Sequence, residues 1–334
     1  MPILASDVQL VLNVIRVLAA VTVLGYAAYK DHKVREVKDE AWMVMEVLGL
    51  GLMSAELLVT GALWVQYLFL LPIFTALAYA FYGVPEPKKA LKGSLPDIAW
   101  CFVYALSVGI LVAYVYLEVI RPDHLSYQTK MLLPVFVLAL IYYAMYYASI
   151  GGIHLLHGGA DAKGMIAITV LIPVYPHMFG LPIMDGMFDS ILYFPHFEYF
   201  RFFTLFPFSL SVLMNAALIP VVYYLFVFPV RNIASKDFGL PMFFGYKMPL
   251  DTVEKSHVWL MQRCDKEFNQ RIVLFPAKLH NPKGELRRLK KEGVGRVWVT
   301  PKVPFMIPIL LGLLILVVFG NLLVELMLRL MFGS

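Results

Sequence analysis

The chain has 334 residues, 60% of them hydrophobic and 15% charged, with a formal net charge of +5. Soluble chains carry about 25% charged residues, so a water-exposed fold is excluded for most of the length. A mean hydropathy of +0.73, with several apolar runs close to the about 20 residues needed to cross the hydrocarbon, points to a polytopic helical membrane protein. Two cysteines, Cys101 and Cys264, exclude a disulfide scaffold.

In chain order, the pattern predicts spans at 8–29, 42–60, 64–83, 97–119, 131–150, 163–181, 202–228 and 304–331. The first run is long, has no basic region before it and no small-x-small exit, so it reads as a span rather than a cleaved signal. No internal repeat or low-complexity tract interrupts the series. The charge is concentrated late. Between Arg231 and Lys302 there are fifteen Lys and Arg against seven Asp and Glu, a net +8 that leaves −3 for everything else. We therefore expect a membrane domain over 1–230, a basic soluble domain over 231–302 and a C-terminal transmembrane helix over 303–334. Within the basic stretch His257 to Leu260, Arg271 to Phe275 and Arg296 to Val299 are strand-like, and Glu285 to Glu292 is a charged helix or turn. The expected fold class is thus all-α in the membrane, about eight helices, with a small α+β domain inserted before the last.

The positive-inside rule puts the basic domain in the cytoplasm. Counting spans from that anchor places both termini outside and the segments 30–41, 84–96 and 151–162 inside. Near those segments lie Lys30, Lys33, Arg35, Lys38, Lys88, Lys89, Lys92 and Lys163, whereas the opposite loops hold only Arg121, Lys130 and Arg201. The charge supports anionic lipid as the neighbour rather than nucleic acid.

Ionisable residues at the hydrocarbon edge are costly and therefore informative. Asp31 closes the first span in Tyr29-Lys30-Asp31-His32-Lys33-Val34-Arg35-Glu36-Val37-Lys38-Asp39, and Asp161 opens the sixth in His157-Gly158-Gly159-Ala160-Asp161-Ala162-Lys163-Gly164. The predicted topology brings both to the cytoplasmic boundary although 130 residues separate them. Two carboxyls that share one proton have their affinities driven apart, so one can deprotonate a water while the other polarises a carbonyl, which is aspartic-protease chemistry. Gly158 and Gly159 would let backbone approach beside Asp161 and set it at a helix N-terminus. Elsewhere, Arg16 is expected to snorkel outward and Glu46 to face inward and hydrogen-bond a neighbour, with Glu56 nearer the outer interface. His154 and His157 have H-x-x-H spacing without a third ligand and read as an interfacial pair, not a metal site. Phe188, Tyr193, Phe194, Phe197, Tyr199 and Phe200 read as an aromatic belt.

The run Gly158-Gly159-Ala160-Asp161-Ala162-Lys163, together with Asp31-x-Lys33-x-Arg35-Glu36, resembles the two active-site motifs of the type IV prepilin peptidases. The likeness is to their archaeal preflagellin/prepilin branch, membrane aspartic proteases of the GxGD class. Pro207 to Ala216 and a basic domain followed by a final span fit that branch too. The resemblance covers the first span and then about 150 to the C-terminus. It implies a catalytic dyad of Asp31 and Asp161, with Lys33, Arg35, Glu36, Gly158, Gly159, Ala160 and Lys163 as motif support. It also implies cleavage of a short basic leader from archaellin or pilin-like precursors at the cytoplasmic face, with no metal or organic cofactor. Ala160 replaces the glycine of the class motif, and about one extra helical hairpin lies between the motifs. No cysteine-rich insertion follows the first span, unlike the bacterial form that also methylates its product. The alternatives are a presenilin-like protease of other membrane helices, or a proton- or cation-coupled transporter using Glu46, Glu56 and the aspartates.

Overall fold

A computed structural model describes residues 2–82, 87–120, 132–147, 149–150, 153–154, 159–176, 178–183, 207–264, 270–274, 276, 281–302 and 304–332. The chain forms two compact units, Met1–Ala216 with Phe305–Ser334, and Ala217–Pro304.

The first unit is helical. In order it contains α1 (Pro2–Val34), α2 (Asp39–Val59), a 3-10 turn at Trp64–Phe69 running into α3 (Leu70–Tyr82), the single turn α4 (Pro87–Ala90) and α5 (Leu95–Ile120). There follow α6 (Leu132–Tyr147), the short hairpin β1 (Ser149–Ile150) and β2 (Ile153–His154), α7 (Gly159–Leu171) and the start of α8 (Phe208–Val222). After the second unit come α12 (Met306–Phe319) and α13 (Leu322–Phe332). By length and composition four helical stretches can cross a membrane, Asp7–Val34, Asp39–Val59, Leu95–Leu117 and Phe208–Ala234, and shorter apolar helices occupy Trp64–Ala78, Pro134–Tyr147 and Met306–Phe319. The last expected span, 304–331, is two helices separated at Gly320, whose φ is +95°. The break is satisfied by side chains: Asn215 donates to the Gly320 carbonyl at 3.0 Å and accepts from Leu322 N at 3.1 Å, while Asn321 Oδ1 accepts from Val324 N at 3.2 Å.

α7 is the centre of this unit. Every residue from Gly164 to Leu171 is buried, which is what a helix apolar on all sides requires. It packs on α2 and α6, and α1 packs on α2 and α12. Glycines set the closest approaches. A Cβ at Gly49 of α2 would lie 2.8 Å from the Val170 carbonyl carbon and oxygen of α7, and one at Gly312 of α12 would lie 2.6 Å from the Val212 carbonyl oxygen of α8. Such small-residue contacts let dispersion and hydrogen bonds hold helices together where lipid removes the hydrophobic drive. Hydroxyls cross the same core. Tyr142 of α6 donates to Ser209 Oγ at 2.9 Å and Thr169 of α7 donates to the same oxygen at 2.8 Å.

The second unit opens with the end of the α8 helix, which passes through a π-helical turn (Tyr223–Val227) into α9 (Phe228–Ala234), then a 3-10 turn at Leu240–Phe243. Beyond lie β3 (Tyr246–Pro249), α10 (Leu250–Val253), β4 (Val258–Leu260), β5 (Gln262–Cys264), β6 (Gln270–Ile272), α11 (Pro282–Lys291) and β7 (Arg296–Pro301). β7 is the central strand of an antiparallel sheet ordered β3-β7-β4, in register Tyr246 to Val299 and Leu260 to Val299, and β5 pairs with β6. Val297 through Thr300 are all buried, so β7 is covered on both faces and does not alternate as its sequence suggests. Leu286 and Leu289 turn α11 onto Leu250, Val253, Leu260, Val297 and Val299, leaving its Lys and Arg side chains exposed. Asn281 caps α11 by accepting from Gly284 N at 2.9 Å. β3 and β5 carry no strand pattern in the sequence: each is three or four residues long and of mixed composition.

Candidate active site

α1 ends just after Asp31. Its last turn carries His32 and Lys33, cations suited to the negative end of a helix dipole. Arg35 takes the left-handed conformation, φ +58°, that terminates helices, with its N–H on the Asp31 carbonyl at 3.2 Å. Asp31 is half-buried. Its Oδ2 accepts from the backbone N–H of Met306 at 3.3 Å, the first residue of α12, whose N-cap, Phe305, supplies no capping side chain. Asp31 therefore satisfies one of the four orphan donors of α12 from a different helix.

Asp161 lies in the first turn of α7 and is buried, at 9% exposure. There the helix dipole favours a carboxylate. Gly164, one turn further on, carries the close packing: a Cβ there would meet the Trp42 ring at 3.3 Å and Met306 Cε at 3.7 Å. Met306 thus bonds Asp31 through its backbone, and its side chain lies close to where a Cβ on Gly164 of α7 would stand. Lys163 Nζ reaches Asp39 at the start of α2, at 2.7 and 2.8 Å. The end of α1 and the starts of α2, α7 and α12 consequently meet at one end of the unit.

The supporting motif residues separate into distinct roles. Lys33 Nζ donates to Tyr29 Oη at 3.2 Å and lies over that ring, Glu36 is exposed, and Arg35 Nε is buried with no hydrogen-bond partner. A Cβ at Gly159 would be in ordinary contact, 3.7 Å from Tyr146 Oη, so the close approach expected there is found instead at Gly164. Ala160 is half-buried. Gly158, His157 and the aromatic residues Phe188 to Phe200 lie outside the described residues. Among the described residues no group of three or more His, Cys, Asp or Glu could hold a metal ion.

Two sequence expectations are corrected. Arg16 does not snorkel outward: it is 1% exposed, and its Nη1 and Nη2 donate to Glu56 Oε1 and Oε2 at 2.7 and 2.8 Å. Gln9 adds a third bond to Glu56 Oε1 at 2.7 Å. A guanidinium in an apolar bundle is cheaper paired bidentately than dragged to an interface. Glu46 does face inward, at 4% exposure, but its Oε1 has no hydrogen-bond partner; Lys163 and Asp39, whose charges act on it, are bonded to each other. Asp39 was not singled out in the sequence, although its place in the first turn of α2, seven residues before Glu46 on the same face, was a readable signal.

Residues 239–322 match the family model described as Archaeal Peptidase A24 C-terminus Type II. The chain is also 29% identical over 173 residues to a preflagellin peptidase of Methanococcus maripaludis, covering 49% of this chain and 64% of that relative. It therefore spans somewhat less than two thirds of the curated relative's length. No solved structure matches. Residues 239–322 are thus similar to the type II C-terminal region of the archaeal A24 peptidases, and about half of the chain is similar to a preflagellin peptidase, the same branch that the two aspartate motifs resemble.

Proposed function

We propose that this chain is a membrane aspartic endopeptidase that removes the short basic leader of archaellin or type IV pilin-like precursors at the cytoplasmic face, with Asp31 and Asp161 as the catalytic pair. The observation that carries the reading is the pair's surroundings. Asp31 ends one helix, Asp161 begins another, and Met306 reaches both neighbourhoods. The 13 residues of α7 rise only about 20 Å, against a hydrocarbon thickness of about 30 Å. A helix that short can start below the headgroups, where a water-filled cleft would serve a substrate helix lying in lipid.

The chemistry follows from two carboxyls holding one proton. The ionised member takes a proton from water as the water oxygen attacks the scissile carbonyl carbon, and the protonated member donates a hydrogen bond to the carbonyl oxygen. Collapse of the tetrahedral intermediate breaks the C–N bond as a proton passes to the leaving nitrogen. The basic stretch 231–302 would sit in the cytoplasm, and the chain would cross the membrane about eight times. Catalysis by this route requires no metal, organic cofactor or nucleic acid. Against the transporter alternative, Glu56 is already committed to Arg16 and Gln9, which leaves that relay without one of its members.

Purified protein in lipid nanodiscs, given a synthetic pilin-like precursor, should release a product shortened by its leader. Asp31→Asn and Asp161→Asn should each abolish the product while leaving the melting temperature near that of the parent. Asn at 31 keeps an oxygen to accept from Met306 N–H, so the substitution separates chemistry from capping. Cleavage that survives in either variant would refute the dyad.

A further inference from the structure

The helix that leads into the second unit ends in a collar of largely exposed apolar side chains. Along its last turns Leu225, Phe226, Val230 and Ile233 are all more than half exposed. They belong to a stretch of mean hydropathy 2.0 that is long enough to span a membrane, where such side chains would face lipid. The exposure does not stop where the helix does. Phe238 and Leu240 are each 65% exposed and Phe243 is 40% exposed, all in the loop and 3-10 turn that follow.

This loop is pinned. Asn232, 1% exposed, donates from Nδ2 to the carbonyls of Met242 and Gly245 at 2.8 and 2.7 Å. Asp237 N donates to the Asn232 carbonyl at 2.9 Å, and the buried Asp237 carboxylate binds Arg296 at 2.9 Å and Lys247 at 3.5 Å. Lys236 and Gly239 take positive φ to make the reversal. The chain is thereby folded back beside the Phe228–Ala234 helix. A loop free to move would bury a phenylalanine and a leucine; this one is built to display them. Basic groups flank the collar. Arg231 stacks its guanidinium 3.7 Å from the Tyr246 ring centroid, and Lys236 is exposed. Apolar side chains beside aromatic rings and cations are the composition of the headgroup boundary. The exposed face of α11, by contrast, is charged, as a surface in water should be.

We propose that Phe238, Leu240 and Phe243 form an interfacial anchor that inserts into the membrane boundary beside the end of α9, so that the lipid surface runs through residues 230–243. The occupant is the bilayer itself, because the collar continues the lipid-facing surface of the spanning helix. The inference is independent of the peptidase reading.

Spin labels on single cysteines test it. In a Cys101→Ser background, with Cys264 buried and its lack of labelling checked in that parent, labels are placed at Phe238→Cys, Leu240→Cys and Phe243→Cys. A fourth at Arg287→Cys of α11 is the aqueous reference. In nanodiscs of neutral and anionic lipid, the collar labels should collide preferentially with oxygen and the Arg287→Cys label with a water-soluble nickel chelate. Collar labels as open to nickel as the reference would overturn the proposal. Strong spin–spin broadening between Leu240→Cys labels would also overturn it, by assigning the collar to a second copy of the chain. Three collar positions ensure that one misfolded variant does not decide the result.

Discussion

Gly49 offers the sharpest test of how α7 is held. A methyl at this position would stand 2.8 Å from the Val170 carbonyl carbon and oxygen and 2.9 Å from Leu171 Cα, where ordinary contact begins at 3.4 Å. The obstruction is helix backbone, which cannot swing aside like a side chain, so α2 and α7 must separate by about 0.6 Å at this crossing. Overpacking of this kind costs about 1–3 kcal/mol, against a gain of roughly 1 kcal/mol for alanine over glycine in a helix. Gly49→Ala should therefore lose up to about 2 kcal/mol. Because α7 carries Asp161, the same displacement should lower kcat roughly tenfold, within the hundredfold that a 1 Å misplacement can cost. Gly51 is the internal control: it lies on the same helix with nothing within 4 Å of its Cβ position, and Gly51→Ala should gain about 0.5–1 kcal/mol with kcat unchanged. Thermal unfolding in nanodiscs and precursor cleavage would be measured on both. Equal behaviour of the two variants in both assays would refute the close-approach argument.

Removing one partner of the Arg16–Glu56 pair leaves the other's charge unpaired in the bundle, so Arg16→Met or Glu56→Met alone should cost about 3–5 kcal/mol. The double variant with Met at both positions should recover most of it in a thermal double-mutant cycle, and strictly additive losses would contradict the pairing. Lys163→Met should change stability by less than about 1 kcal/mol, since its Asp39 partner is half exposed; a large drop in melting temperature would mean that the pair holds α2 to α7. Asn232→Ala deletes two hydrogen bonds, to the carbonyls of Met242 and the buried Gly245, and should cost about 2–4 kcal/mol. Its signature is faster amide exchange over residues 240–245, and unchanged exchange there would show that the loop is not pinned by Asn232.

The helices were legible because apolar runs of spanning length have few other readings, and the basic 231–302 stretch stood out by charge alone. Packing partners were not legible, because nothing in an apolar run says which neighbour it meets. Arg16 shows the difference. Alone among apolar residues it reads as a snorkelling cation, yet Gln9, Asn13 and Arg16 fall at i, i+4 and i+7, a polar stripe on one helix face. Lipid cannot satisfy such a stripe, so it must turn toward protein, and Glu56 is an acid within an apolar span in want of a cation. The break at Gly320 carried a similar sign, a Gly-Asn pair in the middle of the run 304–331, overlooked because length alone was counted. Asp31 carried none for its second role. Its motif marked it for chemistry, but its bond to Met306 N–H joins residues 275 apart, and only the folded bundle brings an uncapped helix N-terminus to that carboxylate. The consequence is specific: a substitution at 31 that loses the acceptor, such as Asp31→Ala, removes a capping bond to α12 together with the proposed catalytic carboxyl. On the proposed reading, one side chain would serve both the fold and the reaction.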